Sequence, residues 1–196
     1  MEIFLSEELP EDSPHLEAIR NLLLYFGENP YREGLIETPG RVLKAYKEML
    51  SGYGQDPASV MKAFEETKYN QMIVLRDVFF TSICEHHLVN FTGFAHIGYI
   101  PNGKIIGISK LVRLVEIFSR RLQVQERLTQ QIASSLMKYL QPLGAACAIE
   151  ARHQCMVCRG VRQQSATMIT SSIEGVFVEP AVRAEFLSFL NKKMEF

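Results

Sequence analysis

FTGFAHIGYIPNGKII, residues 91–106, decides the fold. Phe91, Gly93, Ala95, Ile97 and Tyr99 alternate with Asn90, Thr92 and His96, the two-residue period of a strand with one buried face. Pro101-Asn102-Gly103 then stands between Ile100 and Ile105 as a hairpin signal, which predicts that the strands on either side of it are antiparallel neighbours. Just upstream, Met72 to Phe80 is rich in branched and aromatic residues and reads as another strand, with Thr81 to His87 as the loop joining it to the first.

Downstream the period lengthens. Ser109 precedes an amphipathic stretch with Leu111, Leu114, Val115, Phe118 and Leu122 on one face, followed by Leu128, Ile132, Leu136 and Leu140 up to Pro142, so a long helix or a helix pair is expected. Ala145 to Met156 and Ser165 to Ile173 return to strand character, and Pro180 starts a terminal helix bearing Val182, Phe186, Phe189 and Leu190. At the other end, Leu16, Ile19, Leu22, Leu23 and Phe26 form a helical stripe between Ser13-Pro14 and Gly27. Thr38-Pro39 opens a second helix that runs towards Gly52, and Asp56-Pro57 a short third. Runs of helices and runs of strands, rather than strict alternation, indicate an α+β fold on an antiparallel sheet. Residues 1–70 read as an N-terminal arm and helical segment, and 71–196 as the catalytic region of one compact whole. Met1 to Pro14, acidic and without a basic residue, reads as a flexible arm with no secretory signal.

The chain has 196 residues, enough to bury a core without help from a metal or a disulfide. Its net charge of −1 provides no global field for nucleic acid or an anionic membrane surface, so neither is expected as a partner. No apolar run reaches the ~18–20 residues that span a bilayer. Four cysteines at 84, 147, 155 and 158 are too irregular for a disulfide framework, which places the chain in a reducing cytoplasm and makes any Cys/His cluster a metal or catalytic site.

Two such clusters exist. Cys84-Glu85-His86-His87 offers thiolate and imidazole, with a spacing that lets Cys84 and His87 converge on one ion while His86 points elsewhere and remains free to move protons. His153-Gln154-Cys155-Met156-Val157-Cys158 supplies more of the same chemistry far down the chain. A closed structural site would use Cys84, His87, Cys155 and Cys158; an open site would use three protein ligands and leave a position for water. If residues 153–158 continue the strand, 153 and 155 share a face and 158 takes the other, which favours the open arrangement with His153 beside Cys155. An open zinc lowers the pKa of its water towards ~7, and nearby histidines can then serve a hydrolysis at a carbon bonded to nitrogen.

Basic residues recur in pairs one turn apart. Lys110 and Arg113 follow Ser109 at a predicted helix start, Arg41 and Lys44 sit at the head of the second helix, and Arg159 and Arg162 follow the second cysteine cluster. Each is either a solvated surface charge or part of a polyphosphate cradle. Glu126, in Gln123-Val124-Gln125-Glu126-Arg127, belongs to a polar helix face or accepts the two parallel hydrogen bonds that a guanine offers.

Together these residues resemble the GTP cyclohydrolase I family. The resemblance runs through CEHH at 84–87, GFAHIGYIP at 93–101, ISK with Arg113, RRLQVQERLTQQIA at 120–133 and IEARHQCM with RGV at 149–162. It implies the tunnelling (T-) fold, an antiparallel sheet with helices packed on one side and an N-terminal helical segment. It implies Zn2+ on Cys84, His87 and Cys155, proton transfer by His86 and His153, guanine contacts from Gln125 and Glu126, and triphosphate contacts from Ser109, Lys110, Arg113 and Arg159. Arg41 and Lys44 match the element that reaches the phosphates from a neighbouring subunit, which implies a homodecamer with shared sites. The activity implied is conversion of GTP to 7,8-dihydroneopterin triphosphate and formate, the first step of pterin and folate-type biosynthesis. Cys158 departs from the methionine usual at that position, and it is expected not to be a ligand. A structural zinc module would not need His86, His153 and Glu126, and nitrile-reducing relatives of the fold lack this zinc set.

Overall fold

The computed structural model describes Pro10 and residues 13–190; most of the acidic arm expected over residues 1–14 lies outside them. Helix α1 (Pro14–Tyr25) starts where expected, with the Ser13 hydroxyl accepting from the His15 N–H, and ends before Gly27, whose φ of 84° no other residue type adopts easily. Helix α2 (Thr38–Met49) has Pro39 in its first turn. The third expected helix is two short 3-10 turns, Ser51–Gly54 and Pro57–Val60.

Among the described residues seven strands follow in chain order: β1 (Ala63–Glu65), β2 (Ile73–Cys84), β3 (Asn90–Ile100), β4 (Lys104–Ile106), β5 (Leu122–Gln123), β6 (Gly144–His153) and β7 (Met168–Gly175). The main sheet has the order β5-β2-β3-β6-β7, antiparallel throughout except where the short β5 runs parallel to β2. Three expectations are corrected here. The chain does turn at 101–103, with Gly103 at a φ of 72°, but β4 leaves β3 and pairs with β1 in a separate two-stranded ribbon. Strand β2 continues through Thr81 to Cys84, because Ser82 and Ile83 are buried and pair with β3, so the loop shrinks to residues 85–89. The segment read as strand to Met156 ends at His153 and becomes a single helical turn, Gln154–Val157; this is α5, after α3 (Ile108–Ser119) and α4 (Gln125–Tyr139), and before α6 (Pro180–Leu190).

Helices α3 and α4 are the expected pair, divided by β5. They cover one face of the sheet, where Phe91, Ala95, Ile97 and Tyr99 of β3 and Ala145, Cys147, Ile149 and Ala151 of β6 meet Leu114, Phe118, Leu128, Ile132 and Leu136. Alternation sends Ala146 and Ala148 to the opposite face, where Phe177 and Phe186 of the carboxyl-terminal segment pack edge to face at 5.7 Å. The rest of that second face stays open: Phe79, Phe94 and Ile169, which fall in one row across the sheet, are 63%, 44% and 72% exposed. The amino-terminal elements are tied to α3, since the Gly52 N–H donates to the Arg120 carbonyl at 3.0 Å and the Arg121 guanidinium to the carbonyls of Gly52 and Gln55.

Candidate metal centre and active site

The end of β2, the turn after it and α5 meet at one point. Cys84 is the last residue of β2 and is buried; the Leu88 N–H donates to its carbonyl at 2.9 Å and its own N–H to Val89, which closes the turn and brings His87 back over the thiol. His87 Nδ1 lies 3.7 Å from Cys84 Sγ. Helix α5, entered directly from β6 at His153, swings Cys155 inward to complete the group: the ligand atoms of Cys84, His87 and Cys155 lie within 4.8 Å of one another. Burial holds the Cys155 thiol above its ordinary pKa, the adjacent Cys84 adds to this, and Arg159 acts in the opposite direction. Cys84 is buried, Cys155 half-buried and His87 exposed, so the cluster is open on one side.

Residues 154–157 are helical, so the two-residue alternation of a strand does not set where Cys158 points. Cys158 is exposed, its Sγ donates to the Gln154 carbonyl at 2.9 Å, and it lies outside the Cys84, His87 and Cys155 group.

His86 stands outside the ligand group, exposed, with its ring 6.2 Å from that of His87. Neighbouring Glu85 forms a two-pronged pair with Arg127 of α4 at 2.5 and 3.0 Å, which clamps the turn to that helix and holds the Glu85 carboxyl below its usual range. His153 stacks on Phe91 with ring centres 4.5 Å apart and planes 2° from parallel. Burial lowers its pKa, while Glu126 is near enough to act upward.

Gln125, an expected guanine contact, has a buried side chain. Its side chain does not face an open pocket: it is 1% exposed, with its Oε1 on His153 Nε2 at 2.9 Å and its Nε2 on the Ile149 and Met168 carbonyls. The next residue, Glu126, is exposed in the first turn of α4. Ser109, Lys110 and Arg113 lie in the first turns of α3, which begins at Ile108, one residue earlier than the sequence indicated. Lys44, Lys110, Arg113 and Arg159 make no ion pair with a carboxylate among the described residues, whereas Arg41 pairs with Glu37 on its own helix. Helix α2 approaches the cysteine turn through Tyr46, whose hydroxyl donates to the Leu88 carbonyl at 2.7 Å. Phe91, Thr129, Thr170 and the Glu85–Arg127 pair were not singled out from sequence, since their roles depend on partners 40 or more residues away.

This is an α+β fold carrying a Cys-His-Cys centre between a strand end and a one-turn helix, flanked by histidines and a carboxylate, the layout of a metal-dependent hydrolytic enzyme. Residues 15–191 match the family described as GTP cyclohydrolase I, and the chain belongs to that family, whose tunnelling fold its sheet and helices follow. It is 48% identical over 180 residues to GTP cyclohydrolase 1 of Dehalococcoides mccartyi, covering 90% of this chain and 95% of that protein. It is 50% identical over 175 residues to GTP cyclohydrolase 1 of Streptomyces griseus, covering 88% and 87%.

Proposed function

We propose that this chain is a zinc-dependent GTP cyclohydrolase, which hydrolyses the imidazole ring of GTP at C8, releases that carbon as formate and closes the product to 7,8-dihydroneopterin triphosphate. The observation that carries this reading is the convergence of Cys84, His87 and Cys155, with His86, His153 and Glu126 around them, in a chain of this family. The donor set fits zinc: two sulfurs and one imidazole, open on the His87 side, are ligands that zinc accepts with a position to spare. Cys84, His87 and Cys155 would hold the ion, which when bound supplies Lewis acidity and a source of hydroxide at neutral pH.

The remaining work falls to side chains of the protein. Breaking C–N bonds requires protons at the leaving nitrogens, and His86 and His153 exchange them. Glu126 accepts from N1–H and the amino group of guanine as a parallel pair. Ser109, Lys110 and Arg113 at the amino end of α3, with Arg159, bind the triphosphate, and the absence of carboxylate partners for these cations among the described residues supports that assignment. Arg41 and Lys44 reach the phosphates from a neighbouring subunit of a homo-oligomer, a decamer by family resemblance. The open apolar row of Phe79, Phe94 and Ile169 supports association, as do exposed Leu24 and Tyr25 of α1 and Phe26 just after it. Four free thiols support a reducing cytoplasm, and none of the described helices is long and apolar enough to cross a membrane.

Incubation of the purified protein with GTP, following formate together with the fluorescence of the oxidised pterin, tests the reading. Both products should appear in equal amounts, disappear with a zinc chelator and return with zinc. Unchanged GTP in the presence of zinc-loaded oligomer would refute it.

A further inference from the structure

Gln125 opens α4 with a side chain that has no freedom left. Its Nε2 lies 3.0 Å from the Ile149 carbonyl, 3.0 Å from the Met168 carbonyl and 3.1 Å from Thr170 Oγ1. Carbonyl oxygens only accept, so chemistry assigns the ends of this amide: turned the other way, its oxygen would face two oxygens. The Oε1 therefore points at His153 Nε2, 2.9 Å away, and an amide oxygen accepts without donating. For that contact to be a hydrogen bond, His153 Nε2 must carry the hydrogen.

The surrounding hydroxyls agree with one direction of donation. Thr129 donates to the Gln125 carbonyl at 2.7 Å, so its oxygen is free to accept from Thr170 at 2.6 Å, and Thr170 in turn accepts from Gln125 Nε2. Strands β6 and β7 supply the two carbonyls, and α4 supplies the glutamine and Thr129. Phe91 of β3 fixes the ring plane by stacking. Three strands and a helix thus hold one imidazole in one orientation.

We infer that Gln125 is a positioning residue that fixes His153 as the Nε2–H tautomer, so that Nδ1 is the only ring atom available to exchange protons with reacting groups, and that its side chain does not contact the guanine. The inference rests on the cyclohydrolase reading for what the proton is used for, but the tautomer itself does not depend on turnover. An imidazole free to present either nitrogen would spend part of its time with the wrong atom towards the substrate, whereas the buried amide removes that choice.

A neutron structure of the zinc-loaded wild-type protein reads the tautomer directly. Deuterium on His153 Nε2 facing Gln125 Oε1 is expected; a bare Nε2 would overturn the inference whatever the protein does to GTP. Kinetics supply the second readout. Gln125→Met keeps the volume and removes the amide that holds His153, and with zinc content at the wild-type level it should lose ~100-fold in kcat while KM for GTP stays within about twofold. A raised KM with kcat preserved would make Gln125 a guanine contact instead and refute the proposal. Thr170→Val leaves both carbonyl anchors and should change kcat by less than about threefold. If wild-type protein leaves GTP untouched, the cyclohydrolase reading fails, and the deuterium position still decides the tautomer. Should Gln125→Met not fold, the neutron result alone decides.

Discussion

Cys155 and Cys158 differ in fate because Cys155 lies within α5, whereas Cys158 stands just past its end. Cys155 faces Cys84, whereas Cys158 faces outward with its Sγ on the Gln154 carbonyl. Zinc measured by atomic absorption should therefore remain at the wild-type level in Cys158→Ala. In Cys84→Ala or Cys155→Ala affinity should fall by more than the ~10–100-fold typical of losing only a ligand's hydrogen-bond partner. A different residue makes a prediction about pH. His96 lies on the second face of the sheet, where its Nδ1 accepts the Asp77 N–H at 3.2 Å, and Asp77 itself sits at a φ of 58° in the β2 bulge. Burial pushes the His96 pKa below its ordinary value; Asp77 and Glu150 act upward and Arg76 downward. As pH falls, the unfolded chain takes up this proton first, near ~6.5, so the stability present above that pH is lost as pH falls towards the folded pKa. Urea midpoints measured at about pH 7 and about pH 5 should fall less for His96→Gln than for wild type. An equal fall would remove His96 from the cause.

Strand pairing sets the next scale. At Gly93 the β3 backbone comes so close to β6 that an added Cβ would lie 2.0 Å from the Glu150 carbonyl oxygen and 2.6 Å from Ala151 Cα. Neither is the end of a flexible side chain, so Gly93→Ala must push the strands apart. The cost should be ~1–3 kcal/mol in chemical denaturation. Because Phe91 and His153 are paired in the same ladder two residues away, kcat should fall too, although Gly93 touches no substrate. Wild-type stability in this variant would mean that the strands adjust. Alternation in the sequence already placed Phe91, Gly93, Ala95, Ile97 and Tyr99 on one face, because facing is a property of neighbours along the chain. Pairing is not. The turn at 101–103 was legible, yet β4 pairs with β1, some 40 residues upstream, a choice made by tertiary proximity. The same limit applied at the site. Residue type marked Cys84, His87, Cys155 and Cys158 as candidate ligands and the family resemblance chose the first three, but the helical turn that aims Cys155 could not be read, nor could the carbonyls that occupy the Gln125 amide.

The whole molecule exposes features that a single chain leaves without a covering: the Phe79, Phe94 and Ile169 row, the outer edge of β7, and the apolar residues at the end of α1. In the proposed assembly, association of identical chains covers such features, and a closed ring would place one subunit's α2 next to another's site. Shared sites have a consequence that isolated variants do not reveal. Arg41→Ala keeps the metal ligands but removes the guanidinium proposed to reach a neighbour's site. Cys84→Ala keeps Arg41 but cannot hold the metal. Each alone should have little activity. Co-expressed in equal amounts with different tags and purified through both tags, the two should form mixed oligomers in which about a quarter of the interfaces join intact ligands on one chain to an intact Arg41 on the next, if assembly is random. Formate release should then recover to about a quarter of wild type. If Arg41 serves the site of its own chain, no combination of these two variants restores a complete site, and activity in the mixture stays at the level of the variants alone.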